Sequence, residues 1–399
     1  MAPSAASSAE PRARRGALRI GIVAGETSGD QLGAELIESV RSVAPQTHFE
    51  GVAGPAMRAA GCVAIDAAES LSVMGLVEVL GHLPSLLKLR ATLQQRFTAD
   101  RIDLFVGIDS PDFNIGLEQR LRKAGIATIQ YVSPQFWAWR PGRVRHIAHA
   151  ADLVLCLLPF EQAFYAEHGV NARYVGHPLA DRIPERSPME PARRALGLPE
   201  HVPIVALLPG SRASEVKRLG PAFAACATWL ARARPELRFV APMANAAVRG
   251  PFEQAVARAG AEVTLVDGRA QEAIAAADVV LVASGTATLQ TMLIKRRMVV
   301  AYRVATVTRW IMQGFGLLKI DRYAMPNLLA GRDVVPEIMQ DAVTPEALGR
   351  AVLHELDTPG RAEELTAIFD AIHHELRRDA SARAAQALLE LAAARSARP

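Results

Sequence analysis

Short apolar segments alternate with helical segments along most of this chain, and this alternation restricts the fold more than any other feature. Such alternation is typical of parallel sheets that carry helices on their faces. The pattern stops at residues 181–202, where prolines and charged residues are frequent, and then it resumes. At 399 residues the chain is also too long for one compact core. We therefore predict two α/β domains joined by a linker.

The predicted strands divide into two sets. The first set lies at 18–24, 49–53, 104–108, 127–132, 153–157 and 172–175. The second lies at 204–208, 237–241, 263–266, 279–283 and 298–302. Helices are predicted at 347–356, 362–377 and 382–394, where they would cap the second sheet or reach the first. The predicted boundaries are a disordered tail at 1–17, a first domain at 18–180, the linker at 181–202, a second domain at 203–345 and carboxyl-terminal helices at 346–399.

Composition excludes several classes of protein. Half of the residues are hydrophobic and 22% are charged, which is typical of a folded globular chain. No uninterrupted run of about 18 apolar residues is present, so we expect no membrane span, and residues 1–17 lack the apolar core of a secretory signal. The net charge of +4 favours phosphates or an anionic membrane surface as partners, and no nucleic-acid-binding strip accompanies it. Three widely spaced cysteines favour a reducing, cytoplasmic compartment.

The most informative motif is LLPGSRASEV at 207–216, which joins an apolar strand to a helix. We expect Ser214 to cap that helix. Free backbone N–H groups around Gly210 and Ser211, together with the guanidinium of Arg212, would hold a diphosphate and stabilise its charge as it leaves. The alternative is an ordinary turn with a surface arginine.

A second turn, AGETSGDQLG at 24–33, follows the first predicted strand. Its glycines permit close approach of a ligand, and Glu26, Ser28 and Gly29 are its candidate binding residues. The spacing is not G-x-G-x-x-G, and the lysine of a P-loop is missing, so a dinucleotide or ATP site is not favoured. A purely structural turn is the alternative.

A third turn, ASGTATLQ at 283–290, again leads from a strand into a helix. Ser284, Gly285 and Thr286 would bind a further part of a nucleoside diphosphate through backbone N–H groups and hydroxyls. Farther along, Asn327 would donate and accept hydrogen bonds at the ligand cleft, or it is an ordinary turn asparagine.

The segment GIDSPDFN at 107–114 contributes the candidate base. Asp109 directly follows the strand and is placed to take the proton of an acceptor hydroxyl. Asp112 is better placed as the cap of the next helix. Capping by both carboxylates is the alternative. No D-x-D sequence and no metal-ligand spacing occurs, so we predict no metal and no cofactor.

Two apolar regions suggest further contacts. The loop at 131–145 holds Trp137, Trp139 and three arginines, which suit sugar faces and a phosphate or form a packed aromatic turn. The stretch at 71–90 is rich in valine and leucine and ends in cations, which predicts either insertion into a membrane interface or a buried core segment. Its candidate membrane residues are Val77, Val79, Leu80, Leu83, Leu86, Leu87, Lys88 and Arg90.

With these motifs the chain resembles the lipid-A-disaccharide synthases, which are GT-B glycosyltransferases of family 19. The matching segments are VAGETSGD at 23–30, GVAGP at 51–55, VMGLVEVLG at 73–81, GIDSPDFN at 107–114, YVSPQFWAWR at 131–140, LLPGSR at 207–212, ASGTATLQ at 283–290 and PNLLAGR at 326–332. The resemblance implies two Rossmann-like parallel-sheet domains that face a central cleft.

The resemblance also implies a reaction. Diacylglucosamine would pass from UDP-2,3-diacylglucosamine to 2,3-diacylglucosamine 1-phosphate, which gives the β-1,6-linked lipid A disaccharide and UDP. Inversion at the anomeric carbon needs one in-line displacement and one base. Asp109, Arg212 and Asn327 match the family's catalytic positions. Gln290 stands where GT-B enzymes commonly have a ribose-binding glutamate, and it has no charge.

The family's acylated substrates imply a peripheral location on the cytoplasmic face of the inner membrane of a Gram-negative bacterium. The sequence does not decide whether the protein forms a homodimer. One alternative is a soluble UDP-sugar epimerase or hydrolase of the same architecture, against which detergent-dependent solubility would count. Another is a non-catalytic nucleotide sensor or membrane adaptor, for which Asp109→Ala would change no measurable property.

Overall fold

The computed structural model describes residues 17–71, 76–134, 144–303 and 322–396, without the side chains of 69–70, 76–82 and 396. The described residues form two compact units. The first contains residues up to Val175 together with those from Asp379 onward, and the second contains Gly176–Arg378. This division differs from the expected boundaries, because the linker belongs to the second unit and the last helix belongs to the first.

The first unit is built on a parallel sheet with the order β3-β2-β1-β4-β5-β6-β7. Its strands are β1 (Arg19–Ala24), β2 (His48–Ala53), β3 (Val63–Ala67), β4 (Leu104–Ile108), β5 (Ala127–Tyr131), β6 (Leu153–Cys156) and β7 (Ala172–Tyr174). Ala24 pairs with Ile108, so β1 and β4 end level with each other. The strand order reverses between these two strands, and ligands of open α/β sheets bind at the carboxyl ends next to such a reversal.

Helices cover both faces of this sheet, which is why its central strands are apolar throughout. The helices are α1 (Thr27–Val43), α2 (Pro55–Ala59), α3 (Leu76–Ala99), α4 (Pro111–Lys123), α5 (Val144–Ala150), α6 (Pro159–Glu167) and, from the far end of the chain, α16 (Ala380–Ser396), with a 3₁₀ turn at Ala68–Leu71. Leu388 of α16 is fully buried in one core cluster together with Leu36 of α1. On the other face, Phe97 of α3 and Leu117 of α4 share a second cluster.

The second unit has a parallel sheet with the order β10-β9-β8-β11-β12-β13. Its strands are β8 (Ile204–Leu208), β9 (Arg238–Met243), β10 (Thr264–Asp267), β11 (Val279–Ala283), β12 (Arg297–Tyr302) and β13 (Glu337–Met339). Its helices are α7 (Pro178–Arg182), α8 (Met189–Ala195), α9 (Ala213–Ala233), α10 (Ala246–Ala259), α11 (Ala270–Ala276), α12 (Thr286–Leu293), α13 (Met325–Ala330), α14 (Pro345–Asp357) and α15 (Arg361–Leu376), with a 3₁₀ turn at Gln340–Ala342. Here the order reverses between β8 and β11, where Leu208 pairs with Val282.

The predicted strands are confirmed to within a few residues, and the structure contains two more strands that were not predicted. Both missed strands, β3 and β13, form an edge of their sheet. β3 is partly exposed along its whole length, and β13 has only three residues. An edge strand has one strand neighbour instead of two, so its apolar signal is weak.

Candidate functional site

Asp109 lies in a strained turn at the end of β4. It and Ser110 have φ angles of +50° and +41°, which residues other than glycine rarely adopt. The N–H of Asp109 donates to the carbonyl of Tyr131 at 3.0 Å. Ser110, rather than the expected Asp112, is the N-cap of α4, and Asp112 is exposed in the first helical turn. The turn thus presents a partly buried Asp109 at the switch point of the first sheet.

Two buried side-chain amides stabilise this turn by hydrogen bonds to its backbone carbonyls. Asn114 Nδ2 donates to the carbonyl of Asp109 at 2.9 Å and to that of Ile108 at 3.3 Å. Gln130 Nε2 donates to the same Asp109 carbonyl at 3.3 Å and to the carbonyl of Val132 at 3.2 Å. Neither amide side chain is exposed to solvent. Neither residue is indicated as a site residue by the sequence, since a polar side chain inside an apolar strand or helix does not reveal its partner.

The turn after β1 lies directly against the Asp109 turn. A Cβ added to Gly25 would be 2.3 Å from Ser110 Oγ and 3.2 Å from Ser110 Cβ, so a larger residue would require the Ser110 side chain to move. Glu26 is half-buried, Ser28 is exposed and Gly29 is buried. The structure therefore brings these three predicted residues to the same strand ends as Asp109. Asp30 has a structural role instead, because its carboxylate accepts the backbone N–H groups of Gly54, Ala56 and Met57 at the start of α2.

The predicted phosphate residues of the second unit line one cavity of about 450 Å³ at the β8/β11 switch point. They come from two turns that are far apart in the sequence, one after β8 and one after β11. These residues are Gly210, Ser211, Arg212, Ser284, Gly285, Thr286 and Gln290. The cavity is also lined by Pro242 near the end of β9 and by Arg269 just after β10, neither of which the sequence indicates as a site residue.

Glu215 shows that the turn at 209–212 accepts an anionic group. Its Oε2 receives the backbone N–H groups of Ser211 at 3.0 Å and Arg212 at 3.3 Å. Its Oε1 lies 3.3 Å from Arg212 Nη1. The expected capping by Ser214 is wrong, because α9 begins at Ala213 with Arg212 as N-cap, and the Glu215 carboxylate accepts the Arg212 N–H.

The turn after β11 is tied to the segment before α13. Ser284 Oγ donates to the carbonyl of Tyr323 at 2.9 Å, and the N–H of Met325 donates to Thr288 Oγ1 at 3.3 Å. The ring of Tyr323 stacks on that of Tyr302 with a centroid distance of 5.6 Å. Burial, and after it the neighbouring Tyr323, raises the pKa of Tyr302.

Asn327 is placed differently from the expectation that it donates and accepts at the ligand site. Its side chain is buried, and its amide donates to the Val335 carbonyl at 2.9 Å and to Glu337 Oε1 at 2.7 Å. Its Oδ1 accepts the N–H groups of Val334 and Val335 at 2.7 and 2.8 Å. Both N–H donors of the amide are therefore used within the protein.

In the 71–90 stretch, residues 76–90 form the first turns of α3, and the side chains described from residue 83 onward divide between two environments. Leu83 and Leu87 are 43% and 45% exposed, and Lys88 is exposed beside them. Leu86 instead packs partly against the core, and Arg90 lies over the ring of Phe113 at 5.0 Å. The side chains of Val77, Val79 and Leu80 and the loop residues Trp137 and Trp139 lie outside the described residues. Among the described helices, none has the length and apolarity that a membrane span requires.

Comparison with known proteins gives the family. The family model for lipid-A-disaccharide synthetase matches residues 20–391. A lipid-A-disaccharide synthase of Azotobacter vinelandii is 51% identical over 380 residues, which cover 94% of this chain and 99% of that protein.

Solved structures agree on the fold. The chain is similar to the glycotransferase of kitacinnamycin with a TM-score of 0.62, 18% identity and coverage of 96% of this chain and 100% of that one. It is also similar to the UDP-GlcNAc 2-epimerase of Neisseria meningitidis with a TM-score of 0.62, 11% identity and coverage of 94% and 99%. These likenesses show a two-domain GT-B fold, which glycosyltransferases and epimerases share, whereas the sequence match distinguishes between them. The chain therefore belongs to the lipid-A-disaccharide synthetase family.

Proposed function

We propose that this glycosyltransferase transfers its sugar in a single inverting displacement. The donor is UDP-2,3-diacylglucosamine and the acceptor is 2,3-diacylglucosamine 1-phosphate. The acceptor O6–H loses its proton to the Asp109 carboxylate as O6 forms a bond to C1 of the donor sugar. The bond between C1 and the diphosphate oxygen breaks, and UDP leaves with the electron pair. One displacement gives the β-1,6 linkage without a covalent enzyme intermediate.

The cavity of the second unit is the observation that carries the proposal. Backbone N–H groups at the start of α9 and the guanidinium of Arg212 are suited to the diphosphate, and Glu215 already shows these donors holding a carboxylate. The hydroxyls of Ser284 and Thr286 and the amide of Gln290 line the same cavity. A neutral Gln290 accepts a ribose hydroxyl through its carbonyl oxygen. Arg212 and the helix start would balance the leaving-group charge without a metal ion.

The Asp109 turn supplies the base that acts on the hydroxyl of the acceptor sugar. Hydrogen bonds from the amides of Asn114 and Gln130 to the backbone carbonyl of Asp109 fix the position of this residue. The neighbouring turn contributes Glu26 and Ser28. Rigid placement matters because a misplacement of about 1 Å in the reacting groups costs up to about 100-fold in rate. Asn327 supports the donor side as a positioning residue.

The protein takes its acylated substrates from a lipid surface. Leu83 and Leu87 project from α3 next to the cation Lys88, which is the arrangement of an interfacial helix on anionic lipid. This predicts a peripheral protein on the cytoplasmic leaflet of the inner membrane.

The test measures UDP release in detergent micelles that contain a chelator, with donor alone and with donor plus acceptor. Asp109→Asn is compared with Asp112→Asn, which removes an exposed carboxylate three residues away in the same turn. We expect acceptor-dependent release that persists with chelator, falls at least about 100-fold in Asp109→Asn and stays within about twofold in Asp112→Asn. Release without acceptor would indicate a hydrolase, and an active Asp109→Asn would remove the assigned base.

A further inference from the structure

A buried carboxyl group lies beneath the Asp109 turn, and the proposed mechanism does not use it. Glu118 of α4 has no solvent exposure, and neither of its carboxyl oxygens has a hydrogen-bond partner among the described residues. It lies four residues after Asn114, so the two side chains share one face of the helix. A buried carboxylate without any partner would be strongly destabilising.

Glycine in β4 creates the space for this group. A Cβ added to Gly107 would lie 2.5 Å from Glu118 Oε1 and 2.9 Å from Asn114 Cβ, so both side chains converge on the Gly107 Cα. Gln130 pairs with Gly107 in the register of β4 and β5, and its side chain therefore points to the same face. The result is a polar cluster, composed of Asn114, Glu118 and Gln130, between the sheet and α4.

The cluster has too many acceptors. Within the described part of the chain, Asn114 Oδ1, Gln130 Oε1 and both Glu118 oxygens have no donor, whereas both amide nitrogens donate to backbone carbonyls of the turns. A protonated Glu118 would supply a donor, and a carboxylate would not. Burial raises the pKa of Glu118 to about 8, which agrees with a proton at neutral pH.

We propose that Glu118 is an uncharged carboxylic acid that donates to the Asn114 side-chain oxygen and thereby acts as a positioning residue for Asp109. Asn114 transmits the effect, because its amide nitrogen binds the carbonyls of Ile108 and Asp109. With its oxygen bound by Glu118, the Asn114 side chain has one orientation, and the left-handed turn at Asp109 is held in one geometry. This inference rests on the proposed role of Asp109 as the base.

The first measurement is infrared absorption of protonated carboxyl groups in the full-length protein at neutral pH. The difference spectrum between wild type and Glu118→Gln should contain one carboxylic acid band. Absence of that band would overturn the proposal, because Glu118 would then be ionised. This readout does not depend on catalysis.

The second measurement compares kcat and KM among variants whose folding is checked by circular dichroism. Glu118→Gln keeps a donor and should retain kcat within about twofold. Glu118→Met fills the same space without a donor, and its kcat should fall at least about tenfold with an unchanged KM for the UDP sugar, because Asp109 is misplaced. The matched control is Glu161→Met, which removes another buried carboxyl group of the first unit, one that accepts the Leu158 N–H.

Asp109→Asn is assayed alongside these variants and separates the two proposals. If it is active, the assigned base is wrong and the role of Glu118 in positioning it is wrong as well. If it is inactive while a folded Glu118→Met keeps its full kcat, only the Glu118 proposal is overturned. If Glu118→Met does not fold, the infrared band still shows whether Glu118 is protonated, and the kcat of Glu118→Gln still shows whether an uncharged donor at this position is sufficient for activity.

Discussion

The guanidinium Nη1 of Arg212 lies 3.3 Å from Oε1 of Glu215, and both side chains line the cavity of the second unit. The Glu215 carboxylate also receives the backbone N–H groups that we assign to the diphosphate of the donor. A diphosphate that binds there must compete with this carboxylate. The ion pair is half-exposed, so its own contribution to stability is small.

Glu215→Gln should therefore strengthen UDP binding. The substitution removes a negative charge that repels the diphosphate, and we expect a gain of about 1 kcal/mol, or roughly fivefold in Kd. Calorimetric titration with UDP measures the change. Glu346→Gln is the matched control, because Glu346 lies in the first turn of another helix, α14, and pairs with Arg350. Weaker binding in Glu215→Gln would mean that Glu215 orients Arg212 instead of competing with the ligand.

Gly210→Ala should destabilise the second unit. Gly210 has a φ of +133°, and a Cβ there would lie 2.6 Å from the Cβ of Glu215. We expect a loss of about 1–3 kcal/mol in the free energy of unfolding, measured by urea denaturation. Gly250→Ala is the control, since Gly250 lies inside α10 and an added Cβ would meet nothing within 4 Å apart from its chain neighbours. Its gain in helix propensity is offset by the crowding of a Cβ before Pro251, so the free energy of unfolding should change by less than about 1 kcal/mol. Equal effects in the two variants would contradict the backbone argument.

Asn327→Ala should cost about 2–4 kcal/mol in the free energy of unfolding, because it removes four hydrogen bonds and leaves two buried backbone N–H groups without a partner. Urea denaturation measures the loss. Asn245→Ala removes one capping bond to the Val248 N–H at the start of α10 and should cost about 1 kcal/mol. An Asn327→Ala protein of normal stability that has lost UDP binding would instead favour direct contact with the ligand.

His177 should make stability depend on pH. Burial, and to a lesser degree the charge of Arg182, lowers the pKa of His177 from 6.5 to about 4. The unfolded chain therefore takes up a proton at higher pH than the folded chain, and the free energy of unfolding should fall as the pH decreases from about 6.5 to about 4. His177→Asn keeps an acceptor for the Leu179 N–H, and it should flatten this dependence in denaturation experiments across that window. The control is the same substitution at the exposed His201. If the free energy of unfolding of His177→Asn changed with pH as steeply as that of the wild type, the prediction would be contradicted.

Leu83→Ser combined with Leu87→Ser should weaken binding to vesicles of anionic lipid. Each side chain is almost half exposed, and its insertion into lipid is worth about 1 kcal/mol, so the double variant should lose roughly tenfold or more in partitioning. Cosedimentation with vesicles measures this change. Val43→Ser is the control, because Val43 is 71% exposed at the end of α1. An equal loss in the control would show that general surface apolarity, rather than α3, determines binding.

Much of the candidate site was predictable because its residues follow strands whose apolar pattern is unmistakable. Asp109 follows β4, and Arg212 follows β8, at the carboxyl ends of strands that the sequence predicts. The roles of Glu215 and Asn327 were not predictable in the same way. Each depends on hydrogen bonds to particular backbone groups, and sequence spacing gives the position of a side chain but not its partners.

The sequence by itself determined the two α/β halves, most strands, the glycine-containing turns and the family. These features depend on local apolar periodicity and on residue types at strand ends, and both can be read along the chain. Only the tertiary structure decided that α16 belongs to the first unit, that β3 and β13 complete the sheets and that Glu118 lies buried against Gly107. An alanine-rich helix can pack on either sheet, and an edge strand or a buried carboxyl group acquires its neighbours only when distant segments of the chain come together.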